Sequence, residues 1–143
     1  MTRIDFYTEV DDKVAFACRI AQKALRQKLT VVLLFADEAL LERASTLLWS
    51  TPASGFTPHC RAGTALADQT PIVLACPGEA TPYDQVLINL ADERPADFSR
   101  FERLAEVVSL HDTDRHMARE RYRFYRDRGY TIGTHRMTEG AAD

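Results

Sequence analysis

The chain has 143 residues, 18 Lys and Arg against 21 Asp and Glu, and a net charge of −3, a size that suits one domain with its own hydrophobic core. An acidic balance argues against wrapping duplex DNA as the main task, which needs a broad basic surface. Cys18, Cys60 and Cys76 are widely spaced and form no Cys-x-x-Cys pair, so reduced, mostly buried thiols are expected rather than zinc or redox chemistry.

Arg3 to Tyr7 alternates as a first strand, and Asp11 and Asp12 put carboxylates where a helix start favours them. From Lys13 to Lys28, Val14, Ala17, Cys18, Ala21 and Leu25 recur at helical spacing, which predicts a helix packed on a sheet with Cys18 in its core. Thr30 to Phe35 is an unbroken run of β-formers, the pattern of a strand covered on both faces. Strand, helix and strand in this order make a right-handed βαβ unit. Asp37 is read as the cap of the next helix, Glu38 to Trp49, whose expected inner face is Ala39, Leu40, Ala44, Leu47 and Leu48.

Trp49, Pro52, Phe56 and Pro58 then crowd a loop otherwise rich in Ser, Thr and Gly. Rigid aromatics on such a loop suit a protein contact, although Trp49 folded back over the helix end explains them equally well. His59 and Cys60 are neighbours on an extended chain and point apart, with no third partner for metal or nucleophilic chemistry. Gly63 to Gln69 reads as a polar connection, and Pro71 to Cys76 and Gln85 to Leu90 as further buried strands. A turn and short helix over Ala91 to Arg103 precede a strand at Leu104 to Leu110.

The helix from Asp112 to Arg128 carries the most telling pattern. At about 100° per residue, Arg115, Arg119, Tyr122 and Arg126 fall on one narrow stripe, and Met117, Ala118, Phe124 and Tyr125 form the expected inner face. A solvated face partly neutralised by i,i+4 partners such as Glu120 gives the same pattern. The charge contrast favours function: seven Arg face four Asp and Glu between residues 111 and 136 in a chain that is acidic overall, so an acidic partner would be steered there. Gly129 suits a helix C-cap, Tyr130 to His135 a terminal strand or arm, and Met137 to Asp143 a frayed end.

The expected fold is therefore α/β: a single domain over residues 1–136, with a mainly parallel central sheet and helices on both faces. It is Rossmann-like but has no Gly-x-Gly-x-x-Gly and no Walker loop after any strand, so no cofactor is expected. His111 and His116 lie about 140° apart on a helix and cannot share a metal from one face. With no signal peptide and no membrane-length apolar run, a cytoplasmic protein is expected.

Ala118-Arg119-Glu120-Arg121-Tyr122 followed by Tyr125-Arg126, Gly129 and Thr134 resembles the chi subunit of bacterial DNA polymerase III holoenzyme. So does the earlier set Leu48-Trp49, Pro52, Phe56, Pro58-His59 and Ala62-Gly63. The resemblance implies an adaptor without catalysis, linking the clamp loader to single-stranded DNA-binding protein. By position it implies that Arg115, Arg119, Tyr122, Arg126 and Thr134 receive that protein's acidic, aromatic-ended C-terminal tail. Guanidinium groups suit this ligand, because they pair with side-chain and chain-terminal carboxylates through charge-assisted hydrogen bonds. Trp49, Pro52 and Phe56 would receive psi, the small subunit that tethers chi to the clamp loader. Two rival readings are a nucleotide- or metabolite-binding enzyme with a site at the strand ends near Asp37 and Cys76, and direct binding of single-stranded nucleic acid by the basic stripe.

Overall fold

The computed structural model describes residues 1–50 and 57–138. The described residues form seven strands and three α-helices, in the order β1 (Arg3–Val10), α1 (Lys13–Arg26), β2 (Val31–Phe35), α2 (Glu38–Ser50), β3 (His59–Arg61), β4 (Ile72–Ala75), β5 (Val86–Leu90), β6 (Arg103–Ser109), α3 (Asp112–Asp127) and β7 (Ile132–Arg136). Their order across the sheet is β3-β4-β2-β5-β6-β1-β7, and all six neighbouring pairs are parallel. The α/β architecture expected from the alternation of apolar runs and helical periods is the one found.

Helices α1 and α2 cover one face, where their apolar residues join Val31, Leu33, Phe35, Leu74 and Ile88. Helix α3 covers the other, against Ile4, Phe6, Leu104 and Val108. Every residue of β2, β4 and β5 is buried, which is why these strands read as unbroken apolar runs. The short edge strand β3, His-Cys-Arg, has no such pattern and was expected only as extended chain. Asp12 and Asp37 cap α1 and α2, accepting from the N–H of Ala15 at 3.1 Å and of Leu40 at 3.0 Å. The inner face of α2 is shifted from expectation, for Leu41 is fully buried beside Ala44 and Leu48 whereas Ala39 is exposed. Cys18 lies in the core, and burial pushes its thiol up to about 12, so it is an inert packing residue.

Two departures bear on function. Strand β1 holds one extra residue where Tyr7 pairs with Val107 but Val10 with Ser109, a bulge that places Glu9 in the left-handed region at φ 59°. At the other end of the chain, Met137 donates its N–H to the Thr8 carbonyl and Thr138 its hydroxyl to Glu9, so these two residues, expected to fray, are held by β1. No helix among the described residues is long and apolar enough to cross a membrane.

Candidate functional site

Helix α3 is fixed at both ends. Asp114, in its first turn, accepts from the Ser109 N–H at 2.7 Å and from Lys13 Nζ at 3.1 Å, which ties the start of α3 to the starts of the preceding loop and of α1. Burial raises the Asp114 carboxyl, but the Ser109 N–H and the Lys13 charge outweigh it and hold the group below its ordinary value. Gly129, at φ 87°, closes the helix as expected of a C-cap. The chain then returns as β7 beside β1, with Thr134 in register with Phe6.

Between α3 and the β1–β7 edge this leaves a cleft of about 230 Å³. Phe6, Val108 and Ala118 make its floor, Tyr122, Thr8 and Thr134 its walls, and Arg115, Arg119 and Glu9 its rim. Tyr122 stands edge-on to Phe6, ring centroids 5.4 Å apart. Four of the five residues expected to act together, Arg115, Arg119, Tyr122 and Thr134, thus border one small hollow. Arg126 continues the stripe one turn on, outside the lining, where its carboxylate contact is Asp127 at 3.3 Å.

The charges on this rim are available. Arg119 is exposed and makes no ion pair with any described residue. Arg115 comes only within 3.9 Å of Asp112, whose carboxylate is fully exposed, so the contact neutralises little. The cleft is smaller than the roughly 300 Å³ at which pockets for drug-sized ligands begin. It has room for one ring, with guanidinium groups beside it.

The inner face of α3 differs from the expected one. Ala118 and Tyr125 are buried, but Met117 and Phe124 are only partly so, and the third buried residue is Arg121, 4% exposed. Its Nε meets Glu106 at 3.0 Å and its Nη1 the Asp92 carbonyl at 2.7 Å. Glu106 also accepts from Asn89 at 3.0 Å and from the Tyr125 hydroxyl at 2.6 Å. Burial holds the Glu106 carboxyl above the usual carboxylate range against the pull of the Arg121 charge and of these bonds. Burial and the facing carboxylate likewise push the Tyr125 phenol up and keep it a donor. Arg121 therefore adds nothing to the basic patch. Asn89 and Glu106, cross-strand neighbours and each the polar residue inside an otherwise apolar run, were the sequence signal for this network.

Of the aromatic loop, Trp49 is described and is 63% exposed, while Pro52 and Phe56 lie outside the described residues. The Trp49 ring meets His59 edge-on at 5.7 Å. His59 is gripped at both nitrogens, Nδ1 by the Thr57 carbonyl at 2.8 Å and Nε2 by Ser45 Oγ at 3.1 Å. A carbonyl can only accept, so the proton sits on Nδ1 and the Ser45 hydroxyl donates to Nε2. Ser45 is the partner that sequence reasoning missed, because a serine in mid-helix carries no signal of its own.

At the carboxyl ends of β2, β4 and β5 lies a larger hollow of about 680 Å³. Its rim carries Glu79, Asp92, Glu93 and Asp97 against Arg94, which turns aside to lie 3.6 Å over the Phe124 ring. Nearby, Asp37 is used as a cap, and burial followed by the charges of Glu38 and Glu79 pushes the Cys76 thiol up. No three His, Cys, Asp or Glu side chains among the described residues are grouped to hold a metal.

A family model described as DNA polymerase III chi subunit, HolC, matches residues 1–133. DNA polymerase III subunit chi of Pseudomonas aeruginosa is 36% identical over 144 aligned positions, covering 96% of this chain and 98% of that protein. The Escherichia coli subunit is 31% identical, covering 93% of this chain and 89% of its own length, and that of Haemophilus influenzae 32%, covering 82% and 83%. Matched along nearly all of its length by a family model and by full-length relatives, the chain belongs to the chi subunit family of DNA polymerase III.

Proposed function

We propose that this chi subunit is an adaptor with no reaction of its own, which binds the acidic, aromatic-tipped tail of single-stranded DNA-binding protein in the cleft between α3 and β7. The observation that carries this reading is the convergence of Arg115, Arg119, Tyr122 and Thr134 on one ring-sized hollow whose guanidinium groups are not already spent on internal carboxylates. Phe6, Val108 and Tyr122 give an aromatic side chain an apolar seat, and the two arginines beside it suit carboxylates. On the same reading, the exposed Trp49 ring belongs to the surface that receives psi, together with Pro52 and Phe56.

The hollow at the strand ends does not favour the nucleotide reading. A phosphate there would face Glu79, Asp92, Glu93 and Asp97, with the one arginine of the rim stacked on Phe124.

Arg119→Ala is the clean test, because the side chain is exposed and makes no ion pair within the described residues. Affinity for a peptide carrying the tail is expected to fall about 30-fold, as for an interface hot spot, with stability changed by no more than about 0.5 kcal/mol. Wild-type binding should weaken as salt is added. Undiminished peptide binding by Arg119→Ala would remove the cleft as the tail site. Tyr122→Ala is a poorer probe, since its ring also packs on Phe6.

A further inference from the structure

The chemistry of this cleft also suits a wrong ligand. Exposed arginines beside an aromatic ring are what single-stranded nucleic acid uses when bases stack and phosphates pair with cations. A protein that works beside coated single strands needs some way to prefer the peptide.

One carboxylate sits in this otherwise cationic hollow. The bulge in β1 turns Val10 into the core beneath α1 and leaves both Thr8 and Glu9 bordering the cleft. Glu9 keeps a left-handed backbone that side chains other than glycine rarely adopt, and such a conformation persists only where its surroundings enforce it. Both of its oxygens are held: Oε2 accepts from Arg136 Nε at 2.8 Å and Oε1 from the Thr138 hydroxyl. Its side chain is only 20% exposed. The bonds from Thr138 and Arg136 hold the carboxyl below its ordinary value, so it stays charged at neutral pH. Its ion pair is with Arg136, which lies outside the lining of the cleft, so the carboxylate and not its countercharge borders the hollow.

We propose that Glu9 is the specificity-determining residue of this cleft, a fixed negative charge that repels a phosphodiester chain while admitting an acidic peptide. A nucleic acid strand carries a charge at every phosphate and cannot spare one where it passes Glu9. A peptide can group its carboxylates at Arg115 and Arg119 and present backbone N–H groups or a neutral ring to the Glu9 end, where a carboxylate is an acceptor. The discrimination comes from a built-in repulsion rather than from a better attraction. The peptide half of this inference rests on the tail reading above, whereas the exclusion of nucleic acid does not.

The test uses the full chain and two fluorescent probes at one fixed ionic strength: an oligothymidylate, and an acidic peptide ending in phenylalanine with a free carboxylate. Glu9→Gln removes the charge and keeps the side-chain shape. Glu9→Gly removes the charge and suits the backbone, so agreement between the two separates charge from strain, and the gain should persist on an Arg136→Gln background, which removes the cation that Glu9 otherwise pairs. Both variants should keep the wild-type melting temperature or exceed it. Oligothymidylate affinity is expected to rise about tenfold in each and peptide affinity by no more than about threefold, a like charge being costlier to a continuous polyanion. Equal gains for both probes, or no gain for the oligonucleotide, would overturn the filter. Failure of the wild-type chain to bind the peptide would instead overturn the tail reading, with the oligonucleotide arm still deciding the role of Glu9.

Discussion

Arg119 and Arg121 stand two residues apart on one helix and have opposite fates. Arg119 faces solvent at the rim of the cleft with no carboxylate partner among the described residues, and Arg121 is buried against Glu106 with Asn89 and Tyr125 around the same carboxyl. Two positions amount to about 200° of helix, so a change of face is forced by geometry. What differs is the work each charge can do. A desolvated guanidinium locked to an internal carboxylate holds the helix in place, while a solvated one with no fixed partner can receive a ligand. The second depends on the first, since Arg121 and Tyr125 set the helix phase that turns Arg119 and Tyr122 to the cleft.

The sharpest way to break the contrast is Arg121→Ala. It leaves Glu106 buried without its countercharge and frees the Asp92 carbonyl as well. Removal of one member of a buried pair typically costs about 3–5 kcal/mol. Chemical denaturation should show a loss of that size, against almost none for Arg119→Ala. A loss below about 1 kcal/mol would mean that the pair does little to hold α3, and that the helix is positioned by Ala118 and Tyr125 packing alone.

This pair also marks how far the sequence could be read. The strands β2, β4 and β5 are legible because burial on both faces leaves an unbroken apolar run, and the cap Asp37 because capping is decided within one helical turn. The stripe of Arg115, Arg119 and Tyr122 was legible for the same local reason, one helix having one phase. Arg121 was counted with the basic patch because its partner lies 15 positions away on a neighbouring strand. Strand β3 escaped notice because an edge strand need not be apolar, and Glu9 because a bulge is a property of two paired strands, not of either sequence alone.

A smaller effect is expected at the Lys13–Asp114 bridge, which joins the two sides of the sheet at the start of α3. Because Asp114 is held below its ordinary value, its contribution is complete above the unfolded carboxylate range, near pH 4, and is lost as pH falls through the lower folded value. Asp114→Asn should therefore cost about 1.5–3 kcal/mol at neutral pH, the usual worth of hydrogen bonds to a charged group, and flatten the acid limb of the stability curve. Denaturation midpoints from pH 7 to pH 2 read both effects. A variant whose acid limb keeps the wild-type steepness would show that other carboxylates govern it.

The smallest effect on stability is expected at Trp49, a mostly exposed aromatic at the end of α2. A ring 63% exposed has little to lose on truncation, so Trp49→Ala should change stability by about 0.5 kcal/mol or less. Its orientation is nevertheless fixed, because it rests against a histidine tied at both nitrogens to Ser45 and Thr57. A large aromatic held rigid and left mostly in water is favourable for binding, since most of its apolar area is still to be buried and little rotamer freedom remains to be lost. If Trp49 receives psi, truncation should cost at least about 2 kcal/mol of affinity for that subunit in titration calorimetry. His59→Ala, which releases the ring without removing it, should cost less. The opposite ranking would place the anchor on His59, and unchanged affinity in both variants would move the psi surface away from this helix end.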